Sequence, residues 1–300
     1  MVARPPVRER RPRPTRGQLL ARRLGALALL VGAVGIGVWL ATGAIGGNEK
    51  KATTTVDNQP LRIVFPEGFT REQMARRITA VDKIARTKRH VDPVLSASSY
   101  LRATRRIRVS KEFLPNVENG AAEGFLFPAL YDFTPVTTSK QLVKDQLSAF
   151  RRRFGQVRLA YAKARNLTPY DVLIIASMIE KEVIAPQERP LVAAVIYNRL
   201  HNRMRLQIDA TLRYGLGIPP GKTITRAQLN TKNPYNTTSN YGLPPTPIAN
   251  PGLASMQAAA HPAKVDYLYF VRKPDKIHHF FTSNLDTFNA YIAAHPVKGA

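Results

Sequence analysis

The 300-residue chain contains no cysteine. That excludes a disulfide framework, a thiol nucleophile and thiolate zinc sites, and leaves the redox compartment open. Acids are also scarce: 20 Asp and Glu stand against 45 Lys and Arg, for a formal charge of +25 and a pI near 10.8. The natural partners of such a chain are anionic, whether nucleic acid, acidic lipid or wall polymer. Metal and nucleotide motifs are missing too. There is no HExxH, and no acid is spaced to complete a zinc set. Residues 215–223 read GLGIPPGKT, but a P-loop needs glycine where Leu216 stands, and the two prolines spoil the amide cradle. What the chain has is apolar substance: 44% hydrophobic positions over this length suffice for a sizeable core.

Residues 24–46 form an uncharged apolar run of 23, long enough to span a hydrocarbon layer of about 30 Å as a helix. The preceding 23 residues hold eight Arg against one acid, Glu9. The positive-inside rule then predicts a cytoplasmic Arg-rich tail (1–23), a transmembrane helix (24–46) and a remainder on the far side of the membrane. A cleaved signal peptide is the competing reading, but its apolar region would be shorter. The tail carries +7 of the charge, leaving +18 outside, where nucleic acid is scarce. No nucleic acid partner is expected. Basic runs at Arg102–Lys111 and Arg151–Arg153 suit anionic headgroups or wall polymers, or are solvated helix faces.

Residues 47–60 read as a linker. LRIVFPEGF (61–69) predicts a strand ending in a Pro-Glu-Gly turn, and Thr70 with Gln73 predicts a capped helix. A second amphipathic helix is expected over 92–111, an aromatic and Pro-rich loop over 120–135, and a long helix from Ser139 to Asn166. Thr168, Pro169 and Asp171 form a strong helix start before VLIIASMIEKEVI. From Val172 to Ile179 every residue is apolar or small, so this helix is buried nearly all round, and Glu180 is its first charge. Glu180 shares a face with Leu173, Ala176 and Ser177, whose small side chains predict a hollow beside it, while Glu182 points the opposite way. A desolvated carboxyl there would suit general acid work. A helix-end Glu that simply surfaces is the bland alternative.

Several distant segments decide between them when read together: EGFLFPALY (123–131), ASMIEKE (176–182), ERPLVAAVIYNRL (188–200), LQIDAT (206–211), YNTTSNYGLPPTPIANPG (235–252), AAAHPAKVDYLYFV (258–271) and His279–Phe281. In this order they resemble the YceG-like (MltG) family of endolytic murein transglycosylases, over roughly residues 61–292. The resemblance implies a membrane-anchored lyase that cuts the MurNAc–GlcNAc β-1,4 bond within nascent glycan strands and leaves 1,6-anhydro ends. It assigns the catalytic carboxylate to Glu180 and implies no cofactor. It also implies peptidoglycan glycan strands as substrate and penicillin-binding proteins or other peptidoglycan synthases as partners. A single carboxylate suffices if the substrate's own C6 hydroxyl is the nucleophile. A hydrolase would need a second, for which Asp209 is the candidate. A non-catalytic wall-glycan binding module is the alternative outside the enzyme class.

The matched segments supply the substrate-binding candidates. Gln207 and Asp209 alternate with Leu206 and Ile208, as two polar groups on one strand face would, although Asp209 also reads as a helix cap. Tyr214, Tyr235, Asn236 and Asn250 offer phenols and amides for sugar hydroxyl and N-acetyl groups. YNTT also reads as loop structure, and Asn250 as a helix cap. His279 is the histidine that the resemblance points to, against a structural role. Ala210 and Thr246 depart from the Pro and Gly of the family pattern, which alters two loops. The expected fold is α+β: a transmembrane helix, a small LysM-like α+β subdomain (61–119), and a larger, mainly helical catalytic domain (120–295) with a short β element.

Overall fold

In β1 (Leu61–Val64) Leu61 and Ile63 are buried while Arg62 and Val64 are exposed, the period-two pattern of a strand with one face on a core. The computed structural model describes residues 60–113, 122–219 and 221–296. The tail at 1–23, the expected span at 24–46 and the linker up to residue 59 lie outside the described residues. Among the described residues no helix is long and apolar enough to cross a membrane.

The turn at residues 66–68 leads from β1 into α1 (Arg71–Arg89). Thr70 opens this helix as its sequence predicts: its hydroxyl accepts the Gln73 N–H at 3.2 Å, and the Gln73 amide oxygen accepts the Thr70 N–H at 2.8 Å. After α2 (Ala97–Ala103), β2 (Leu130–Phe133) returns antiparallel to β1, with Leu61 opposite Phe133 and Val64 opposite Leu130. The segment expected to be loop over 120–135 therefore contains a strand. Leu61, Ile63, Phe65, Met74, Tyr100 and Phe133 fill the small core between these elements, and Leu142 and Val143 of α3 (Ser139–Phe154) complete it.

Two helices are shorter than their periodicity predicts. Over 92–111 only α2 is α-helical, because the Thr104 carbonyl accepts the Ala122 N–H at 3.0 Å instead of a helical partner. A continued helix would also stack Arg102, Arg105, Arg106 and Arg108 on neighbouring turns. The run from Ser139 to Asn166 breaks at Gly155, a poor helix former, and Phe154 and Val157 turn into the core. One short turn, α4 (Ala160–Lys163), and the left-handed Asn166 (φ 57°) then lead to the next helix.

That helix, α5 (Pro169–Glu182), is the axis of the larger core. Thr168 and Asp171 form its capping box at 3.1 and 2.8 Å, and Val172 to Ile179 are all buried. α6 (Arg189–His201), α7 (Asp209–Leu216), α8 (Arg226–Leu229) and α9 (Leu253–Ala260) follow. α9 lies along α5, and the small side chains Ala176, Ala259 and Ala260, all fully buried, let the two backbones approach. A hairpin of β3 (Tyr269–Arg272) and β4 (His279–Thr282) is covered by α10 (Leu285–Ala294), with Phe280 stacked on Tyr291 at 4.1 Å. Mostly helical with two small antiparallel sheets among the described residues, the fold is α+β, as expected.

Candidate active site

Glu180 closes the last turn of α5, half-buried, where the unbroken apolar face of the helix runs out. Its Oε2 accepts the backbone N–H of Gly252 at 2.9 Å. Gly252 is the N-cap of α9, so the carboxylate stands at the junction of two packed helices. One turn earlier, the Ser177 hydroxyl donates to the Ile174 carbonyl at 2.7 Å and accepts the Ile248 N–H at 3.0 Å. The hollow expected beside Ala176 and Ser177 is thus occupied by the chain leading into α9. The small residues serve close packing.

The turn at residues 66–68 forms the other wall. Gly68 (φ +76°) donates its N–H to the Asn250 carbonyl at 2.9 Å, and the Asn250 N–H returns to the Phe69 carbonyl at 2.9 Å. A Cβ on Gly68 would touch Glu180 Cγ at 3.4 Å, so the turn rests directly on the Glu180 side chain. Lys181 Nζ donates to the Gly68 carbonyl at 3.3 Å. Glu67 stands on the solvent side of this turn, and its carboxylate fills the space that a Cβ on Gly252 would take. Burial first, and the Glu180 charge second, raise the Glu67 pKa, against the opposing pull of Arg189. A groove lined by Arg189, Pro190, Ala254, Gln257 and His261 follows α9, and Arg189 in its wall is the cation that acts on Glu67.

Behind the turn lies a second carboxylate, Glu123, only 3% exposed. It accepts the Arg71 N–H at 3.2 Å, Asn250 Nδ2 at 2.7 Å and the Tyr214 hydroxyl at 3.1 Å. Burial, with the Glu72 charge adding to it, pushes its pKa up to about 7 against these hydrogen bonds.

The structure sorts the other sequence candidates. Asn250 is fully buried: it donates to Glu123 and to the Phe69 carbonyl, and accepts the Leu126 N–H at 2.9 Å. Tyr214 and Tyr235 meet edge to face at 5.1 Å, and the Tyr235 hydroxyl bonds Thr246 Oγ1 at 2.8 Å, so the departure at Thr246 has gained a partner. Asn236 is buried and holds its own loop, donating to the carbonyls of Leu229 and Thr231. Gln207 and Asp209 do not share a strand face. Gln207 is left-handed (φ 53°) and its side chain accepts from Arg199 Nη1 at 3.1 Å, whereas Asp209 begins α7. The acid that feels the Asp209 charge is Glu182, whose pKa burial raises first and Asp209 raises further. His279 is buried against Glu188, Nδ1 to Oε2 at 2.6 Å, and burial lowers its pKa against that partner. The residues thus drawn together are Glu180 with the turn at 66–68, and Tyr214 and Asn250 around Glu123, with Tyr235 against Tyr214. Sequence reading missed Glu67, Glu123 and Glu188 as site or bracing groups. A Pro-Glu-Gly turn beside a strand was the one visible sign of the first.

Comparison with known proteins places this geometry. Residues 46–294 match the model of the YceG-like family. The endolytic murein transglycosylase of Bacillus subtilis is 32% identical over 232 residues, which cover 75% of this chain and 62% of that protein. The protein of the same name from Streptococcus pneumoniae R6 is 29% identical over 260 residues, 82% of this chain and 47% of that one. The chain therefore spans about half to three fifths of the curated relatives it matches. The crystal structure of a YceG-like protein from Listeria monocytogenes superposes with a TM-score of 0.65 at 32% identity, covering 77% of this chain and 76% of that one.

Proposed function

Because the chain belongs to the YceG-like family, we propose that it is an endolytic peptidoglycan lytic transglycosylase with Glu180 as its reacting carboxylate. The observation that carries this reading is the seat of Glu180. A buried helix delivers the half-buried side chain to the junction with α9 and the turn at 66–68, and the Gly252 N–H holds Oε2. The groove along α9 offers a glycan strand a path.

The reaction follows from one acid used twice. Protonated Glu180 gives its proton to the glycosidic oxygen as the bond from C1 of the muramyl sugar breaks. The C6 hydroxyl of the same sugar attacks C1, and the Glu180 carboxylate takes the hydroxyl proton. One C–O bond breaks and one forms, no water is consumed, and the enzyme regains its proton. Asp209 begins α7, where its charge adds to the raised Glu182 pKa, and the scheme gives it no role. The Arg-rich tail and the apolar run at 24–46 support anchoring in a bacterial plasma membrane with the described residues outside. There, synthases of the same glycan are the fitting partner class.

Mass spectrometry of glycan ends tests this reading. The full chain in detergent is incubated with uncrosslinked peptidoglycan strands beside its Glu180→Gln variant. Internal fragments one water lighter than hydrolysis products, absent with the variant, are expected. Reducing ends would establish a hydrolase instead, and intact strands that co-sediment with the protein would establish a binding module.

A further inference from the structure

Lys140, Lys144, Leu147 and Arg151 recur every three or four residues along α3 and so share one stripe of that helix. α2 ends at Thr104, and the chain leaving it brings Arg106, Ile107 and Arg108 beside the stripe. The groove between them thus holds five cations, all exposed. Its deeper lining is apolar, for Val143 is buried and Ile107 and Leu147 are half-buried against both cores. Among the described residues no carboxylate lies within ion-pair distance of the five cations. Of the acids beside them in sequence, Asp145 accepts from Gln141 Nε2 at 2.8 Å and Glu112 from the Ser110 hydroxyl at 3.0 Å. Like charges one helical turn apart repel, a penalty that an anionic partner removes.

We infer that this groove docks on acidic phospholipid headgroups of the bilayer in which the chain is anchored. The inference rests on the reading of residues 24–46 as that anchor. Charge sets the sign of the partner, and the apolar lining selects among anions. A lipid brings a phosphate to the cations and ester and upper acyl groups to Ile107 and Leu147, whereas a wall polymer leaves that apolar surface wet. The course of the chain gives the reach. β1 begins at Leu61, which packs in the same small core as Val143 of the groove. Fourteen residues, 47–60, separate Leu61 from the apolar run, which is at most about 50 Å of extended chain. Attraction to a charged bilayer fades within about 10 Å, so it acts only on a face that comes down to the headgroups. The groove belongs to the core that the linker joins. Docking there fixes the distance from the bilayer at which Glu180 meets a strand.

Because the chain has no cysteine, Ala103→Cys places a single fluorophore in the groove wall, and Ala290→Cys on α10 gives a control site. The full chain is placed in lipid nanodiscs with a nitroxide on a fixed share of phosphatidylcholine headgroups, with or without phosphatidylglycerol. Phosphatidylglycerol is expected to raise quenching at residue 103 at least about twofold and to leave residue 290 unchanged. An acidic bilayer strengthens binding by about fivefold per cation, so Lys140→Glu, Lys144→Glu and Arg151→Glu together should return quenching to the phosphatidylcholine level. Salt at about 0.5 M should do the same without any substitution. Equal quenching at residue 103 in both discs overturns the docking, as does quenching that persists in high salt. A response at residue 103 to soluble poly(glycerol phosphate) but not to phosphatidylglycerol overturns it in favour of a wall polymer. A chain that stays in both discs with equal quenching leaves the anchor standing without the groove. A chain that leaves phosphatidylcholine discs, yet is held and quenched at residue 103 by phosphatidylglycerol discs, upholds the groove and overturns the anchor. Loss from both discs overturns both.

Discussion

Asn250 commits every polar atom of its side chain to the protein, and so shows how a polar residue in a matched motif can act at a distance from substrate. It ties Leu126, Phe69 and Glu123 together beneath the turn that carries Glu67. Replacing it by alanine leaves the buried Leu126 N–H without a partner, and a loss of roughly 3 kcal/mol is expected in denaturant unfolding. An unchanged midpoint with lost cleavage would make it a sugar contact after all. Glu123 predicts a pH effect with a definite sign. Its pKa rises from an ordinary 4.5 to about 7 on folding, so the folded state binds its proton more tightly than the unfolded chain. The stability it contributes is complete below about pH 4.5 and is lost as pH rises through about 7. Glu123→Gln removes that loss. Unfolding free energies of variant and wild type should diverge over this window, in favour of the variant, by on the order of 3 kcal/mol. A difference that stays constant from pH 4 to pH 8 would remove Glu123 as the cause.

The helix starts at Thr70 and Thr168 were legible, whereas the start expected at Asn250 falls at Gly252 and the helix ends were not legible, for a reason of range. The caps at Thr70 and Thr168 are closed by residues three positions on, so the whole interaction is written locally. The ends at Thr104 and Phe154 depend on Ala122 and on the core beneath Val157, which no periodicity encodes. The same distinction runs through the site. Glu180 stood out because a local run of apolar residues ends on it, and the resemblance carried by several distant segments gave it a role. Glu67 could not, because Gly252, the residue that gives it meaning, lies on another element far along the chain. Gln207 and Asp209 misled because alternation was read without the left-handed turn that separates them. The α5 cap is open to a direct test. Thr168→Ala should lower stability by about 1 kcal/mol, a melting shift of about 2–4 °C by calorimetry, with Glu180 chemistry intact. A shift near zero would mean that packing alone holds the start of the helix.

On the scale of the whole molecule, residues 60–113 are part of the same build as the described residues that follow. β1 finds its partner in β2, Leu142 and Val143 of α3 complete the core that β1 begins, and the turn at 66–68 is stitched to residue 250. A chain starting at residue 120 would bare Leu126, Phe133 and Leu142 and would lack Glu67. It is expected to give no cooperative unfolding transition, and adding residues 48–119 as a separate chain should restore one. A stable, active fragment from residue 120 would show instead that the strand pair is dispensable.

The stitch between Gly68 and Asn250 also sets a schedule. Glu67 leaves the ribosome early and Gly252 late, and at about 5–20 residues per second the interval between them is roughly ten to forty seconds. Between the synthesis of residue 180 and that of residue 252, Glu180 lacks the amide that aims it. The corner that holds Glu180 is therefore complete only after residue 252 has been made.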